Sequence, residues 1–319
     1  MLMSTDDEAT RQRQGVRLRA AWMYHVEGLT QSEIALRLGI GRVTVVRLLA
    51  EARVRNEVRV SIVGPIGECF RLGNELEKKF KIHEVTVVPS SGADCDYSSV
   101  IGAALGDYVT NLVRPSMSIG VGWGRTLHKS LSTIVERAIP DFRVISLLGG
   151  ITKAREVNPS EFAWQFANLF RAESYSLTAP AFADSYETKR TLIDRCGLNE
   201  VFHEATKLDA CLVSVASMES TSTSFQYNLL SDNDRKSLIS SGAVGDVLCN
   251  FFNEQGQIID HSINKRVMSI PIETILNIPV RVLASGGADK VLALRGAIRL
   301  LNPTVLITDE STARRLIAI

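Results

Sequence analysis

The sequence predicts an α/β protein in which a small N-terminal helical domain precedes a larger, Rossmann-like domain with a mainly parallel sheet. Two short helical patterns joined by glycines occupy residues 30–55. Strand-like and helix-period segments then alternate as far as residue 318, which is typical of βαβ units in a sheet covered on both faces. A Gly64-Pro65 break separates the two patterns. We therefore expect a disordered start at 1–9, a helical domain at 10–60 and the larger domain at 61–319.

The first domain has the pattern of a helix-turn-helix. An apolar periodicity over Val16–Glu27 predicts a supporting helix. Thr30 and Glu33 have the spacing of a capping box at the start of a second helix. Glycines at 39 and 41 end that helix, and a third begins near Arg42. Two helices joined by a tight turn, the second with a basic outer face, form the arrangement that places its second helix in the DNA major groove.

The positive charge is concentrated in this domain. The 319 residues have a net charge of only +1, but residues 10–59 hold ten arginines and four glutamates. Arginine is the side chain best suited to phosphate and guanine contacts. We expect Arg42, Thr44 and Arg47, on the outer face of the third helix, to reach base edges. Gln31 and Ser32, at the start of the second helix, are expected to contact phosphates.

Several classes of protein are disfavoured by the rest of the composition. The five cysteines form no close pair and no C-x-x-C, so neither a zinc site nor a disulfide framework is indicated. No metal or cofactor is predicted. The chain shows no signal-peptide pattern and no apolar run of about 20 residues that would span a bilayer. We expect a cytoplasmic protein that does not bind membranes.

The elements of the larger domain follow from hydrophobic periodicity. A strand signal at Val58–Ile62 is either a wing of the first domain or the first strand of the second. Helices are predicted at 70–80, 98–113, 126–137, 161–172, 289–301 and 311–318. Strands are predicted at 84–88, 118–122, 143–148, 210–215, 280–284 and 304–308.

Glycines mark three predicted strand ends, at 120–127, 148–150 and 284–290. Ligands of parallel sheets bind beyond the carboxyl ends of the strands, and glycines let backbone N–H groups approach an anion closely. Arg125, Thr126 and Lys290 can add donors. The alternative for each loop is a tight turn without a ligand, and for Lys290 a solvated helix position. Asp246 either accepts from ligand hydroxyls or only stabilises a turn.

Taken together, these residues resemble the SorC family of bacterial transcriptional regulators. That family joins an N-terminal helix-turn-helix to a sugar-binding domain shaped like glucosamine-6-phosphate deaminase and ribose-5-phosphate isomerase. The resemblance runs over most of the chain. It rests on GLTQSEIALRLGIGRVTVVRLLAEA at 28–52, GVGWGRTL at 120–127, LLGG at 147–150, GAVGDVLCNFFNEQGQIID at 242–260, and ASGGADKVLALRGAI with VLITDESTARRL within 284–316.

The resemblance implies that Gly124, Arg125 and Thr126 hold a sugar phosphate or the equivalent end of a polyol. It also implies that Asp246 receives sugar hydroxyls, that Lys290 completes the anion site, and that the protein is a dimer or tetramer. With the neighbouring glycines and Glu161, the expected effector-binding set is Gly122, Gly124, Arg125, Thr126, Gly149, Gly150, Glu161, Asp246, Gly286, Gly287 and Lys290.

The chain departs from the family pattern at Asn158-Pro159-Ser160-Glu161, where many relatives carry a helix with an asparagine facing the ligand. A carboxylate at Glu161 would repel a phosphate but accept from hydroxyls. A sugar, a sugar phosphate and a polyol therefore all stay open as the effector.

The sequence thus predicts a transcriptional regulator of carbohydrate or polyol metabolism whose binding to operator DNA is controlled by such an effector. One alternative is a sugar-phosphate isomerase or deaminase with a fused helix-turn-helix, which would use Asp246, Glu161 or Glu310 as a general base. No paired carboxylates or His-carboxylate motif support it. Another alternative makes the N-terminal helices a protein-interaction module, against which the arginine-rich face argues.

Overall fold

The structure, a computed structural model, describes residues 5–55, 57–58, 67–90, 96–152, 158–227 and 229–319. The chain divides into two compact units, Met1–Gly64 and Pro65–Ile319. Helices make up the secondary structure described in the first, and the second is built around a parallel sheet. The α/β class and the mainly parallel sheet that the sequence predicts are confirmed.

The described residues of the first unit form three helices: α1 (Thr5–His25), α2 (Gln31–Leu38) and α3 (Arg42–Val54). The predicted capping box is present. The N–H of Glu33 donates to Thr30 Oγ1 at 3.3 Å, and the N–H of Thr30 donates to Glu33 Oε2 at 2.8 Å. Gly39 ends α2 with φ of 64°, a left-handed conformation that costs glycine little. The small core of the unit consists of Ala20, Ala21, Ile34, Val45, Leu49 and Ala52.

α1 is longer than the sequence predicts. It begins at Thr5, so residues 5–9, which were expected to be disordered, are helical. The reason is local propensity, since Glu, Ala, Arg and Gln dominate residues 8–14 and all are strong helix formers. Of the strand predicted at Val58–Ile62, Val58 is described and is not in a strand, and the remaining residues lie outside the described ranges.

A seven-stranded sheet in the order β1-β10-β9-β5-β2-β3-β4 is the centre of the second unit, and every neighbouring pair in it is parallel. A separate sheet, β6-β7-β8, is antiparallel. The strands are β1 (Glu84–Val88), β2 (Ser118–Val121), β3 (Arg143–Ser146), β4 (Glu173–Tyr175), β5 (Ala210–Val213), β6 (Ala216–Ser217), β7 (Gly245–Val247), β8 (Asn250–Phe252), β9 (Val280–Ala284) and β10 (Val305–Asp309).

Helices pack against both sheets of the second unit. They are α4 (Gly67–Phe80), α5 (Tyr97–Leu112), α6 (Arg125–Ser130), α7 (Pro159–Phe170), α8 (Tyr186–Arg195), α9 (Asn199–Ala205), α10 (Thr223–Gln226), α11 (Asp232–Ser240), α12 (Ser262–Lys265), α13 (Ile272–Leu276), α14 (Val291–Leu301) and α15 (Glu310–Ala318). A short 3₁₀ turn, Ala288–Lys290, precedes α14.

Both faces of the main sheet are buried. In β9, Leu283 belongs to one hydrophobic cluster, whereas Val282 and Ala284 belong to another. The same alternation holds in β5, where Cys211 and Leu212 fall in different clusters. Successive side chains of a strand point to opposite faces, so apolar residues at every position produce a core on each side.

The helix predicted at 126–137 is shorter than expected, because α6 ends at Ser130. Side-chain hydroxyls take over the hydrogen bonding from that point. Ser130 Oγ donates to Leu127 O at 2.6 Å, and Thr133 Oγ1 donates to Ala103 O in α5 at 3.0 Å. Serine and threonine compete in this way with the helical pattern of backbone hydrogen bonds.

The order of the strands favours a ligand site at the carboxyl ends of the central strands β2 and β5. β2, β3 and β4 lie to one side and β5, β9, β10 and β1 lie to the other, so the chain reverses its direction of winding between β2 and β5. In open parallel sheets the crevice outside the carboxyl ends of the strands at such a point is the usual ligand site.

Candidate functional site

A cleft lies at this point of the sheet. Its volume is about 530 Å³ when the open space at its entrance is included. Segments that follow β2, β5, β6 and β9 meet there, together with the hairpin of β7 and β8. The cleft is lined by Trp123, Gly124, Arg125, Thr126, Ser214, Val215, Ala216, Thr221, Ser222, Thr223, Ser224, Asp246, Leu248, Asp289 and Lys290. Five of the eleven residues of the expected effector-binding set are therefore brought together: Gly124, Arg125, Thr126, Asp246 and Lys290.

Asp246 supplies a buried carboxyl group to the cleft, and only 2% of the residue is exposed. Its Oδ2 accepts the N–H of Cys249 at 3.0 Å, and its Oδ1 accepts from Ser224 Oγ at 3.3 Å. The first bond braces a turn in which Leu248 and Cys249 both have positive φ, of 51° and 60°. Asp246 thus stabilises a turn and also lines the cleft, which combines the two alternatives that the sequence leaves open.

Burial raises the pKa of Asp246 to about 7, although the N–H of Cys249, the hydroxyl of Ser224 and the charge of Lys290 favour the ionised form. A carboxyl group in a low-dielectric environment resists ionisation, which is the usual cause of such a shift. Near neutral pH the group is therefore available in both forms, so it can accept a hydrogen bond from a ligand hydroxyl or donate one.

Two cations border the same cleft. Arg125 is exposed on the first residue of α6, and Lys290 is half-buried at the end of the 3₁₀ turn. Burial lowers the pKa of Lys290, and the charge of Asp289 acts in the opposite direction. Among the ion pairs of the described residues, none involves Arg125 or Lys290. Their positive charge is consequently available to an anionic group in the cleft.

The hydroxyl segment Thr221–Ser224 forms a further wall that sequence reasoning missed. Ser222 is 6% exposed, and its Oγ has no hydrogen-bond partner among the described residues. A buried hydroxyl without a partner costs free energy, so a ligand that reached Ser222 would gain by bonding it. The signal was present in the sequence as five consecutive hydroxyl residues at 220–224. It has no glycine and no charge, which is why it did not stand out.

The glycine pair at 149 and 150 and Glu161 lie outside the residues that line the cleft. The N–H of Gly149 donates to Met268 O at 2.8 Å, and the N–H of Gly150 donates to Ala179 O at 2.7 Å. Both donors are thus used in backbone pairing. Glu161 is exposed on α7, where its Oε1 accepts from Gln165 Nε2 at 3.0 Å. The expected repulsion between Glu161 and a phosphate therefore has no structural basis in this cleft.

Gly122, Gly286 and Gly287 also lie outside the lining. The N–H of Gly122 donates to Leu212 O at 2.8 Å. The N–H of Gly287 donates to the carboxylate of Asp309 at 2.9 Å. These glycines permit close packing rather than an approach to a ligand, because an added side chain at Gly286 would collide with that same carboxylate.

The candidate DNA-contacting residues lie on α2 and α3, and the angular position of each residue on its helix determines how exposed it is. Ser32 is exposed and Gln31 is half-buried in the first turn of α2. Arg42 and Arg47 are exposed on α3. Thr44 is half-buried beside the core residue Val45, so it lies nearer to the interior of the unit than the sequence suggested. Its predicted contact with a base edge is therefore less favoured than those of the two arginines.

Comparison with known proteins defines the family. A family model described as "Putative sugar-binding domain" matches residues 64–318. The chain is also 30% identical over 306 residues to the erythritol catabolism regulatory protein EryD of Brucella abortus, across 94% of this chain and 95% of that protein. The chain belongs to the sugar-binding domain family of SorC-type regulators.

Other relatives within this family are regulators by name. Identity is 27% to the deoxyribonucleoside regulator of Bacillus subtilis, over 96% of this chain and 98% of the relative. It is 28% to the transcriptional regulator LsrR of Escherichia coli K12, over 92% of each chain. The full-length sorbitol operon regulator SorC of Klebsiella pneumoniae shares the fold, with a TM-score of 0.74 at 22% identity over 95% of this chain and 98% of that one.

No helix within the described ranges is long and apolar enough to span a bilayer. Among the same residues, no three His, Cys, Asp or Glu side chains are placed to hold a metal ion together.

Proposed function

We propose that this SorC-type protein regulates the transcription of genes for carbohydrate or polyol metabolism. Its helix-turn-helix binds operator DNA, and a small hydroxylated effector in the cleft controls that binding. The observation that carries the proposal is the composition of the cleft. Arg125 and Lys290 have no ion-pair partner among the described residues, and they border the same cleft as the buried Asp246 and the unpartnered hydroxyl of Ser222.

The cleft favours an effector with an anionic group and at least one hydroxyl group. The two cations attract a phosphate or carboxylate, since charge-assisted hydrogen bonds are about twice as strong as neutral ones. Asp246 and Ser222 suit hydroxyl groups, which both donate and accept. A sugar phosphate or polyol phosphate satisfies both halves of the cleft. A free sugar or polyol, such as the erythritol in the name of the relative EryD, satisfies only the hydroxyl half.

On the DNA side, Arg42 and Arg47 are assigned to base edges, with Thr44 as a lesser candidate. Gln31 and Ser32 are assigned to phosphates at the start of α2, where backbone N–H groups and the helix dipole favour anions. One helix-turn-helix covers a single half-site, so useful affinity requires a dimer or tetramer that binds repeated half-sites. Such binding to operator DNA takes place in the cytoplasm.

The effector would act by favouring one arrangement of that oligomer. A tenfold change in operator affinity needs a difference of only about 1.4 kcal/mol between the effector's affinities for two states. One or two charge-assisted hydrogen bonds that form in one state and not in the other are sufficient.

A thermal-shift screen with phosphorylated and free sugars and polyols tests the effector site, because a ligand that binds only the folded state raises the melting temperature. We expect the largest shift from a phosphorylated compound. The shift should be lost in Lys290→Met and Asp246→Asn and retained in Lys265→Met, which alters an exposed lysine outside the lining of the cleft. A ligand whose shift survives in both cleft variants would show that the effector binds elsewhere.

A catalytic role is the alternative that one observation favours, since a carboxyl group with a pKa of about 7 is suited to act as a general base. The other two carboxylates considered, Glu161 and Glu310, do not line the cleft, and Glu310 is paired with Arg314. Asp289 also lines the cleft, but it is exposed and accepts from Ser217 Oγ at 3.1 Å, so the buried Asp246 would have to supply the base. We expect no turnover of ribose-5-phosphate or glucosamine-6-phosphate by the purified protein, and measurable turnover that Asp246→Asn abolishes would reverse this ranking.

A further inference from the structure

Two valines occupy the centre of the outward face of α3. The residues predicted from the sequence to contact bases on this helix are all polar. Val43 is 83% exposed and Val46 is 45% exposed. Both lie within the first two turns of the helix, the part that a helix-turn-helix presents to base edges. With Ala50 and Val54 they form one stripe along the helix, which we term the valine stripe.

Helix stability does not account for the valine stripe. Valine is a weaker helix former than alanine, leucine or arginine, because its branched side chain loses freedom against the preceding turn. The core of the unit does not account for it either, since α3 contributes Val45, Leu49 and Ala52 to that core from its opposite face. A single exposed valine is ordinary, but an aligned set of them indicates a binding surface.

The charges beside the stripe indicate which partner covers it. At 100° per residue, Arg42 and Arg53 lie on one side of Val43 and Val46, and Arg47 lies on the other. The ion pairs found among described residues of this unit involve Arg17, Arg37 and Arg55, and not these three arginines. An apolar strip bordered by unpaired cations matches the DNA major groove, in which base edges lie between two rows of phosphates.

The chemistry of the valines then restricts the base. An aliphatic side chain makes no hydrogen bond, and of the four bases only thymine presents a methyl group, at C5, in the major groove. We propose that Val43 and Val46 contact thymine methyl groups and thereby specify thymine at two positions of each operator half-site. The inference rests on the proposed DNA-binding function and adds to it the base that these two residues recognise.

The spacing of the valines fixes the separation of the two thymines. Residues three apart on a helix are about 4.5 Å apart along its axis, and successive base pairs rise about 3.4 Å. The two methyl groups therefore belong to adjacent base pairs or to pairs one step further apart, on either strand. Arg42 and Arg47 remain available for the flanking guanines or phosphates.

The test uses the full-length protein and DNA that it selects from a pool of random-sequence duplexes. One selected duplex is then synthesised with deoxyuridine in place of one thymidine at a time, which removes a C5-methyl group and keeps the base pairing. For the wild type we expect a loss of about fourfold in affinity at each of two thymine positions per half-site, from the burial of one methyl group.

Val43→Ala and Val46→Ala should each bind the unmodified duplex more weakly and become insensitive to deoxyuridine at one position while keeping sensitivity at the other. Alanine favours helix, so both variants should fold. Val54→Ala is the matched control. Val54 is 84% exposed on the same stripe, but it lies at the C-terminal end of α3, away from the base edges. Val54→Ala should retain the complete wild-type pattern.

Absence of any deoxyuridine effect on the wild type, or the same pattern in Val43→Ala as in the wild type, overturns the proposal. A change of oligomeric state in Val43→Ala or Val46→Ala, with an unchanged deoxyuridine pattern, also overturns it and makes the valine stripe a protein interface. Failure to select any duplex is a different result, because it rejects the proposed DNA binding and the thymine contacts with it.

Discussion

The carboxylate of Asp309, at the end of β10, accepts the backbone N–H of Gly287, in the loop after β9, at 2.9 Å. Asp309 is fully buried, and its other donors are Ser90 Oγ, Thr312 Oγ1 and the N–H of Thr312. Gly287 follows β9, Thr312 lies in the first turn of α15 directly after β10, and Ser90 follows β1. The carboxylate therefore holds together three neighbouring strand ends beside the cleft.

We predict that Asp309→Ala lowers the free energy of unfolding by about 3 kcal/mol or more, because several buried donors lose their acceptor at once. Urea denaturation of the full-length protein measures the change. Glu310→Gln is the matched control. It alters the adjacent carboxylate, which pairs with the exposed Arg314, and should cost less than about 1 kcal/mol. Similar losses in the two variants would show that the network around Asp309 contributes little.

A second prediction concerns the contact between α5 and α6. A Cβ at Gly106 would lie 2.5 Å from Ser130 O and would also collide with the hydroxyl of Thr133. Gly106→Ala should therefore destabilise the second unit by about 1–3 kcal/mol through overpacking. Gly15 lies in α1, where an added Cβ meets nothing within 4 Å. Gly15→Ala should stabilise its helix by about 0.5–1 kcal/mol.

Thermal unfolding followed by circular dichroism gives the sign of each change, since the two substitutions add the same methyl group. Equal shifts of the melting temperature in the two variants would contradict the proposed close packing of α5 against α6.

A third prediction concerns a partly buried ion pair in the first unit. Arg17, 5% exposed, donates from Nε and Nη2 to the two carboxylate oxygens of Glu57, each at 2.5 Å. Glu57→Gln leaves Glu51 as the only carboxylate paired with this guanidinium among the described residues, and the loss should exceed the roughly 1 kcal/mol at most of an exposed pair. Hydrogen exchange of the α1, α2 and α3 peptides should accelerate. Arg37→Gln, which breaks the exposed pair with Glu27, should change exchange little.

The same pair predicts acid sensitivity of this unit. The hydrogen bond from Arg17 holds the pKa of Glu57 below its ordinary value. A lowered carboxylate pKa contributes stability that is complete above the unfolded value of about 4.5 and is lost as the pH falls through the lower folded value. Exchange in the wild type should therefore accelerate below about pH 4.5, and Glu57→Gln should lack that step. A wild type and variant with parallel pH profiles would contradict this account.

The sequence predicted those parts of the fold whose signals are local and long. The capping box at Thr30, the strand at 84–88 and the strand at 280–284 match the structure residue for residue. The antiparallel sheet β6-β7-β8 was missed because its strands have only two or three residues, too few to show an alternation. Helices α9, α10, α12 and α13 were missed because they have only four to seven residues. Helices α8 and α11 are longer, but they bury at most one side chain each and so show no apolar face.

The candidate site was predicted less completely, because its geometry depends on partners that are distant in sequence. A glycine-rich loop does not reveal whether its N–H faces a ligand or a carboxylate 22 residues later, as at Gly287. The segment Thr221–Ser224 contains no glycine and no charged residue, so its composition did not indicate a binding role. On α3, polarity favoured Thr44, whereas the helical phase turns Val43 outward.

A last prediction follows from the carboxyl group of Asp246, whose folded-state pKa of about 7 is far above the ordinary value of 3.8. The folded protein then holds a proton that the unfolded chain releases, so this group's contribution to stability falls as the pH rises from about 4 to about 7 and is constant above that. Asp246→Asn removes the titration but keeps an oxygen for the N–H of Cys249 and a polar group for Ser224.

Urea denaturation at pH 5 and pH 8 should show the variant gaining stability relative to the wild type by more than about 1.4 kcal/mol at the higher pH, the equivalent of one pKa unit. Asp289→Asn, at an exposed carboxylate of the same cleft, is the matched control and should show no such gain. If the stability difference between wild type and Asp246→Asn is the same at both pH values, the carboxyl group is ionised throughout and can only accept hydrogen bonds from an effector.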